Sequence, residues 1–522
     1  KGGKEMTLVR EPGSEILAQF VVPTRGTWLN TAISDVPVDA VYNSRNVFVR
    51  EGKLRTRPGL QQALPPLTLN AAVSRHIIGG SLTVITTVRS IYVVSIDALF
   101  VFADNIVPTW ATVPIVAGTP MANSNTETVD ITLISSAGSI VGIFANRQFP
   151  LKQWITGEPT IHSITGTNIP TASSVCTAAS RIIAFIQPHT IVWSRINSYT
   201  NFDALAIVIR AQTTDAGVCV RTISALSFIF YKEHSIHPAR AQAGLDEGTA
   251  FTFFEPIIAE GPAGVYAVVD IGGTHVYMTR SGRVGVFDGT NEVQWIADGI
   301  WFFLQEDIDQ TYAHLIRGVY DYRLNTIVFY YPKVGETSSM TGMIIINLPF
   351  KGFEAQVGLI PYCFLGQCSK SVTHACSRRS FNDVERSVTF TIPETLGIVQ
   401  THDLSEAVTS DSGVNFTCSF QTGLQSAPDA RHVQTTIENF MERGVGFGSV
   451  SIAPVTSDTL ETPTGTIHTA DAQTIDLTAT PVNEFIGFNK KTRFFGFQYS
   501  WSSTSKVRYS GTVVYDSVKR RK

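Results

Sequence analysis

HVYMTRSGRVGVFDG, residues 275–289, decides how this chain is read. Two short runs rich in Val, Tyr and Phe flank Ser281-Gly282, and Asp288-Gly289 closes the second run. Such dipeptides supply the positive-φ positions that a tight turn needs, so the stretch reads as strand, turn, strand, turn. RLNTIVFYYPK, from Arg323, and GMIIINLPFKGFE, from Gly342, repeat the form with a longer connection.

Working outward, strand signals dominate. SLTVITTV begins at 81, SIVGIF at 139, RIIAFI at 181, SFIFYKEHSIH at 227, THVYMT at 274 and NTIVFYY at 325. From the second run onward the starts lie roughly 40–50 residues apart, the length of one four-stranded propeller blade. The repeats share pattern rather than residues. An all-β chain is therefore expected, a β-propeller of six blades with a further β-rich C-terminal region. Helix is scarce. The best candidate begins near Asp298 as N-cap, with Trp301, Leu304, Ile308, Tyr312 and Leu315 at helical spacing, an aromatic stripe expected to make core contacts.

The chain has 522 residues, a formal net charge of -3, 43% hydrophobic and 16% charged residues. A balance this close to neutral argues against a protein that coats nucleic acid, and it offers little resistance to self-association. Six cysteines are too sparse for a disulfide scaffold, so a reducing compartment is expected. The polar opening KGGKEMTLVREPGSE has no apolar signal core, and no apolar run reaches the ~18–20 residues of a membrane span. A soluble protein without a secretion address is expected. From about residue 400 the texture shifts to Thr, Ser and Asp, as in TSDTLETPTGTIHTADAQTIDLTAT. The expected division is an N-terminal arm and hairpin over 1–60, a propeller core over 61–400, and C-terminal strands over 401–522 that close or decorate it.

VREGKLRTRPGL, residues 49–60, concentrates positive charge. With Glu51-Gly52 as the turn, Arg50 faces Lys53, Val49 faces Leu54, Phe48 faces Arg55 and Val47 faces Thr56. Val47, Val49, Leu54 and Thr56 then share one face; Phe48, Arg50, Lys53, Arg55 and Arg57 share the other. The basic face reads most simply as a solvated edge, next as a contact for an acidic protein partner, and least well as a DNA arm. Lys519, Arg520, Arg521 and Lys522 form a second basic tip, where a disordered charged tail is the plain reading and a subunit or DNA-channel contact the alternative.

Signals for chemistry are weak. KEHSIH sets Glu233 beside His234, with His237 three residues on; in a strand those histidines point to opposite faces. Cys363, Cys368, His374 and Cys376 lie close together but lack paired zinc knuckles, so buried thiols are expected. Neither a GxSxG elbow nor a P-loop is present. VDIGGTH and GVGFG read as turns, and TRSGRVGVFDGTNEVQW has the residues of a sialidase Asp-box in the wrong order. No enzyme, cofactor or metal site is expected.

Four segments in order carry a resemblance: VYNSRNVFVREGKLRTRPGL (41–60), HTIVWSRINSYTNFDAL (189–205), VRTISALSFIFYKEHSIHPAR (220–240) with GTAFTFFEPI (248–257), and AVVDIGGTHVYMTRSGRVGVFDG (267–289) with RGVYDYRLNTIVFYYP after it. Over roughly 40–400 the chain resembles the β-propeller tail nozzle, or hub, of short-tailed bacteriophages, related to their stabilisation proteins. It departs from that pattern where KEHSI runs on into His237-Pro238, and over 450–480. The resemblance implies a virion structural protein, assembled in the host cytoplasm as a ring, a homo-hexamer. Such a ring sits below a tail adaptor ring, carries fibres or spikes, and passes genomic DNA without binding it specifically. Arg50, Lys53, Arg55 and Arg57 are then expected to contact their own propeller or a neighbouring subunit. Two other readings stay open: a monomeric carbohydrate-binding or glycan-cleaving propeller, and a head-to-tail adaptor or tail-tube subunit. The scarcity of helix weighs against the last.

Overall fold

The computed structural model describes residues 16–516, apart from 22, 24, 30–31, 38, 51–52, 69–76, 78, 86–87, 104–108, 117–119, 137, 243–246, 291, 349–361, 380–384, 393–397, 427–432, 442–447, 459–464, 477–484, 491, 493 and 506. Five antiparallel units follow one another along the chain, over 79–114, 130–163, 174–209, 217–258 and 268–296. Each runs as a meander from an inner strand outward. The sixth unit comprises Arg317–Asp321, Thr326–Tyr331, Met340–Asn347 and the first half of the 18-residue strand Tyr362–Arg379. The second half of that strand begins a seventh unit, continued by Glu385–Thr391 and Ile398–Ser405 and completed by Gly59–Thr68 from the other end of the chain. Neighbouring inner strands pack side by side around a ring that closes between the seventh and first units. The molecule is a β-propeller whose last blade is stitched from two distant segments.

Seven units exceed the expected six, and the reason lies in which strand shows in the sequence. A blade's second strand is covered on both faces by neighbouring blades, so it reads as an uninterrupted apolar run. Thr326–Tyr331 and His275–Met278 are buried at every position. The runs at 139, 181, 227, 274 and 325 all mark second strands. The run at 81 marks a first strand, Gly79–Ile85; its blade's second strand is Val88–Val94, whose start is as far from 139 as 274 is from 325. The seventh blade's second strand follows the 349–361 segment and lacks a long apolar run, so spacing alone passes over it.

The opening hairpin forms with His275↔Phe287 and Met278↔Val284 paired. Its loop is Arg280-Ser281-Gly282, one residue longer than expected, closed by hydrogen bonds between Thr279 and Arg283. Gly282 sits at φ +85°, and a Cβ there would lie 2.6 Å from Leu304 Cβ, so no other residue fits. The helix is a single short element, Trp301–Asp307, starting three residues after Asp298 with Ile300 at its N-cap. It stops because Ile308 leaves to pair with Lys333. Leu304, Ile308 and Leu315 are core residues, whereas Trp301 and Tyr312 are only partly buried. Among the described residues no helix is long and apolar enough to cross a membrane.

The two ends of the chain meet in a sandwich. One sheet takes Ile16–Phe20, Val47–Arg50 and Lys53–Thr56 from the front, and Val433–Met441, Phe485–Lys490 and Arg508–Asp516 from the back. The facing sheet combines Val41–Arg45 with strands between 417 and 502. Phe420 stacks on Tyr499 at 4.6 Å and meets Tyr509 of the facing sheet at 4.9 Å. That core runs on without a break into Val328, Tyr330, Met343 and Phe364 of the sixth blade. The sandwich and the sixth and seventh blades therefore share one apolar core.

Candidate assembly surface and axial cup

The hairpin register is as the residues predict: Val47↔Thr56, Phe48↔Arg55, Val49↔Leu54 and Arg50↔Lys53. The Glu51-Gly52 turn itself lies outside the described residues. Phe48 is buried along with Val47, Val49 and Leu54, because one face meets the sandwich and the other meets the sixth and seventh blades. Arg57 is buried completely and pairs with Asp411 through two hydrogen bonds, at 2.6 and 2.9 Å. It also donates to Asn46 Oδ1 and the Gln367 carbonyl, and its guanidinium lies 3.7 Å from the Phe416 ring centroid. Asp411 accepts in addition from the Leu60 and Ser369 backbones. Burial pushes the Asp411 carboxyl up; the charge and hydrogen bonds of Arg57, with the two N–H groups, outweigh it and hold the group below the usual carboxylate range. Arg57 thus locks hairpin, long strand and seventh blade together and presents nothing to a partner. Arg50 reaches Glu406 at 2.5 Å. Lys53 and Arg55 are half-buried on the same hairpin. Lys519, Arg520 and Arg521 lie outside the described residues.

The weak metal signals separate in space. His234 is exposed at a turn, while His237 is buried in Ser235–Ala241 within reach of Ser235, Thr213 and Arg210. Burial, then the charges of Arg210 and Lys232, bring His237 down to about 4. Cys363, Cys368 and Cys376 enter three different cores, and burial pushes Cys363 and Cys376 up to about 12. His374 turns to the propeller axis. Among the described residues no three His, Cys, Asp or Glu side chains converge on a common metal position.

Two surfaces that sequence reading passed over stand out. The first is the outermost strand of the third blade, Phe202–Ile209. Its alternation buries Ala206 against the fourth blade and turns Leu205, Ile207 and Ile209 the other way. Those three would meet the second blade, but that blade's fourth strand is only His162–Ser163 and does not reach them. They stay 75%, 46% and 66% exposed. On the outer part of the next blade, Phe254 and Ile258 are exposed too. The Glu247–Thr249 turn of the fourth blade packs against this strand at Leu205, and the row of aliphatic side chains left exposed is a surface for contact with another chain.

The second surface lies on the axis. Tyr266, between the fourth and fifth blades, crosses the centre: its hydroxyl donates to the Val129 carbonyl at 2.6 Å, and its ring meets His374 edge-on at 4.8 Å. The Arg317 and Arg221 guanidinium groups lie 4.9 and 5.8 Å from the ring centroid. Arg221 in turn pairs with buried Asp130, which also accepts from Ser174 Oγ and the Val175 N–H, tying the second, third and fourth blades. Arg317 donates to His374 Nδ1. Burial, then the charge of Arg317, holds His374 far below the usual histidine range, so its imidazole is neutral and free to accept. Beside this plug opens a cup of about 480 Å³. Its wall combines the connections that enter the inner strands with the turns between second and third strands, contributing Glu127, Arg147, Gln187, Glu233, Arg280 and His314 among others.

No family model matches the sequence, and no curated protein matches it. Among solved structures, the chain is similar to the crystal structure of BBS1N in complex with ARL6DN, with a TM-score of 0.40 and 9% identity over 67% of this chain and 98% of that one. A likeness at this level carries no inference about what the chain binds.

Proposed function

We propose that this chain is a structural subunit that works by self-assembly: a tail nozzle, or hub, of a short-tailed bacteriophage, built as a six-membered ring that extends the DNA-ejection channel and carries fibres or spikes. The open strand Phe202–Ile209 is the observation that carries the assembly reading. Full burial of an aliphatic side chain contributes about 1.5–3 kcal/mol, so covering Leu205, Ile207 and Ile209 supplies a strong drive toward a neighbouring copy. A near-neutral chain places little charge repulsion in the way. The tail setting rests on the ordered segments between 41 and 332 and their resemblance to tail nozzles. Tyr266 and its cationic neighbours fill the axis of the single propeller, so a DNA passage in this reading lies between subunits. Loose phosphate binding suits a conduit, because dense cationic contacts would hold DNA in place.

The test is negative-stain imaging of the purified protein, alone and mixed with detergent-treated tail complexes. Six-fold rings with a central hole, or added density at the tail tip, are expected. Uniform single propellers that ignore tails would overturn the reading.

A further inference from the structure

We infer that the axial cup is a binding site for a short neutral carbohydrate, of mono- to disaccharide size. A volume of about 480 Å³ falls in the range of small-molecule sites, about 300–1,000 Å³. Five successive blades, the second to the sixth, contribute to the wall, so the floor is held from several sides and the cup is formed before any ligand arrives. Sites held by converging rigid elements lose little freedom on binding.

The chemistry of the wall selects the ligand. Glu127 is largely occupied: its carboxylate accepts from Asn123 N–H, from Asn146 Nδ2 and from Gln148 Nε2. It therefore holds those amides in place and has little acceptor capacity left for a ligand. Arg280 gives two hydrogen bonds to the Gln310 carbonyl. By contrast, among the described residues neither the Arg147 guanidinium nor the Glu233 carboxylate has an ion-pair partner, and both are exposed into the cup with the Gln187 amide. One strong donor, one strong acceptor and one amide that is both ask for a ligand whose groups donate and accept at once. Sugar hydroxyls do that. The wall carries two cations, Arg147 and Arg280, and two anions, Glu127 and Glu233, so a ligand with net charge would gain from one pair and be repelled by the other. No Phe, Tyr or Trp lines the cup, so no ring face stacks on the sugar and binding is weak.

The measurement is saturation-transfer NMR on the full chain with neutral monosaccharides and disaccharides, repeated for Arg147→Ala and Glu233→Gln. Both positions are exposed, and the melting temperature of each variant serves as the folding check. At least one sugar is expected to show transfer, and each variant to weaken it about tenfold, the loss of one charged hydrogen bond. Absence of transfer from every sugar at millimolar concentration overturns the site. So does transfer that persists unchanged in both variants, or that appears only with acidic sugars.

Discussion

Arg57 shows how far a residue's role departs from its look in the sequence. Among basic neighbours it reads as one more surface cation, yet it is a buried tie with Asp411. Removing one partner leaves the other charge buried and unpaired, so Arg57→Met is expected to cost about 3–5 kcal/mol. Arg57→Met with Asp411→Leu should cost less than the single change; denaturant melts of the four members of the cycle decide it. Tyr266→Phe, which removes the hydroxyl that donates to the Val129 carbonyl, should cost about 1 kcal/mol. Histidines supply a pH signature. His237, His275 and His402 are each held down to about 4, by burial first, with nearby cations adding to it. Their folded values lie below the ordinary 6.5, so the unfolded chain takes up protons first as the pH falls. The stability they contribute is complete above about pH 6.5 and fades toward 4. Thermal melts from pH 7 to 4.5 should show a falling midpoint; a flat midpoint contradicts the buried, neutral assignment.

At the scale of elements, what the residues reveal depends on local pattern. The hairpin Val47–Thr56 was legible to the residue pair, because Glu51-Gly52 and strict alternation fix register together. The second strands of the blades were legible because double burial writes them as apolar runs. The seventh blade was not: its fourth strand, Gly59–Thr68, comes from the opposite end of the chain, and pairing over that distance leaves no local mark. Pro65 and Pro66 within it fit an outermost strand, where a missing N–H costs nothing, but they do not say which sheet. The rim strand was missed for a similar reason. HTIVWSRINSYTNFDAL shows an apolar strand, while its exposure follows from the shortness of His162–Ser163 in another blade. The Arg57–Asp411 tie and the axial cup arise from segments hundreds of residues apart or from five blades at once, which no spacing encodes. A direct consequence concerns the closure. A chain beginning at residue 79 lacks the strand that pairs with Ile398–Ser405, and its melt should broaden or disappear, whereas a cooperative melt equal to the full chain would refute a closure that stabilises.

For the whole molecule, the sandwich shares an apolar core with the sixth and seventh blades, and an exposed aliphatic row lies on the third blade. In the proposed assembly, Phe202–Ile209 is covered by a neighbouring copy. The most direct measurement is the particle mass in solution, by mass photometry, for the full chain and for the chain carrying Leu205→Asp and Ile209→Asp. Particles of six chain masses are expected for the parent, and single chains, equally well folded by circular dichroism, for the variant. A parent that stays a single chain at micromolar concentration, or a variant that assembles as the parent does, would contradict it.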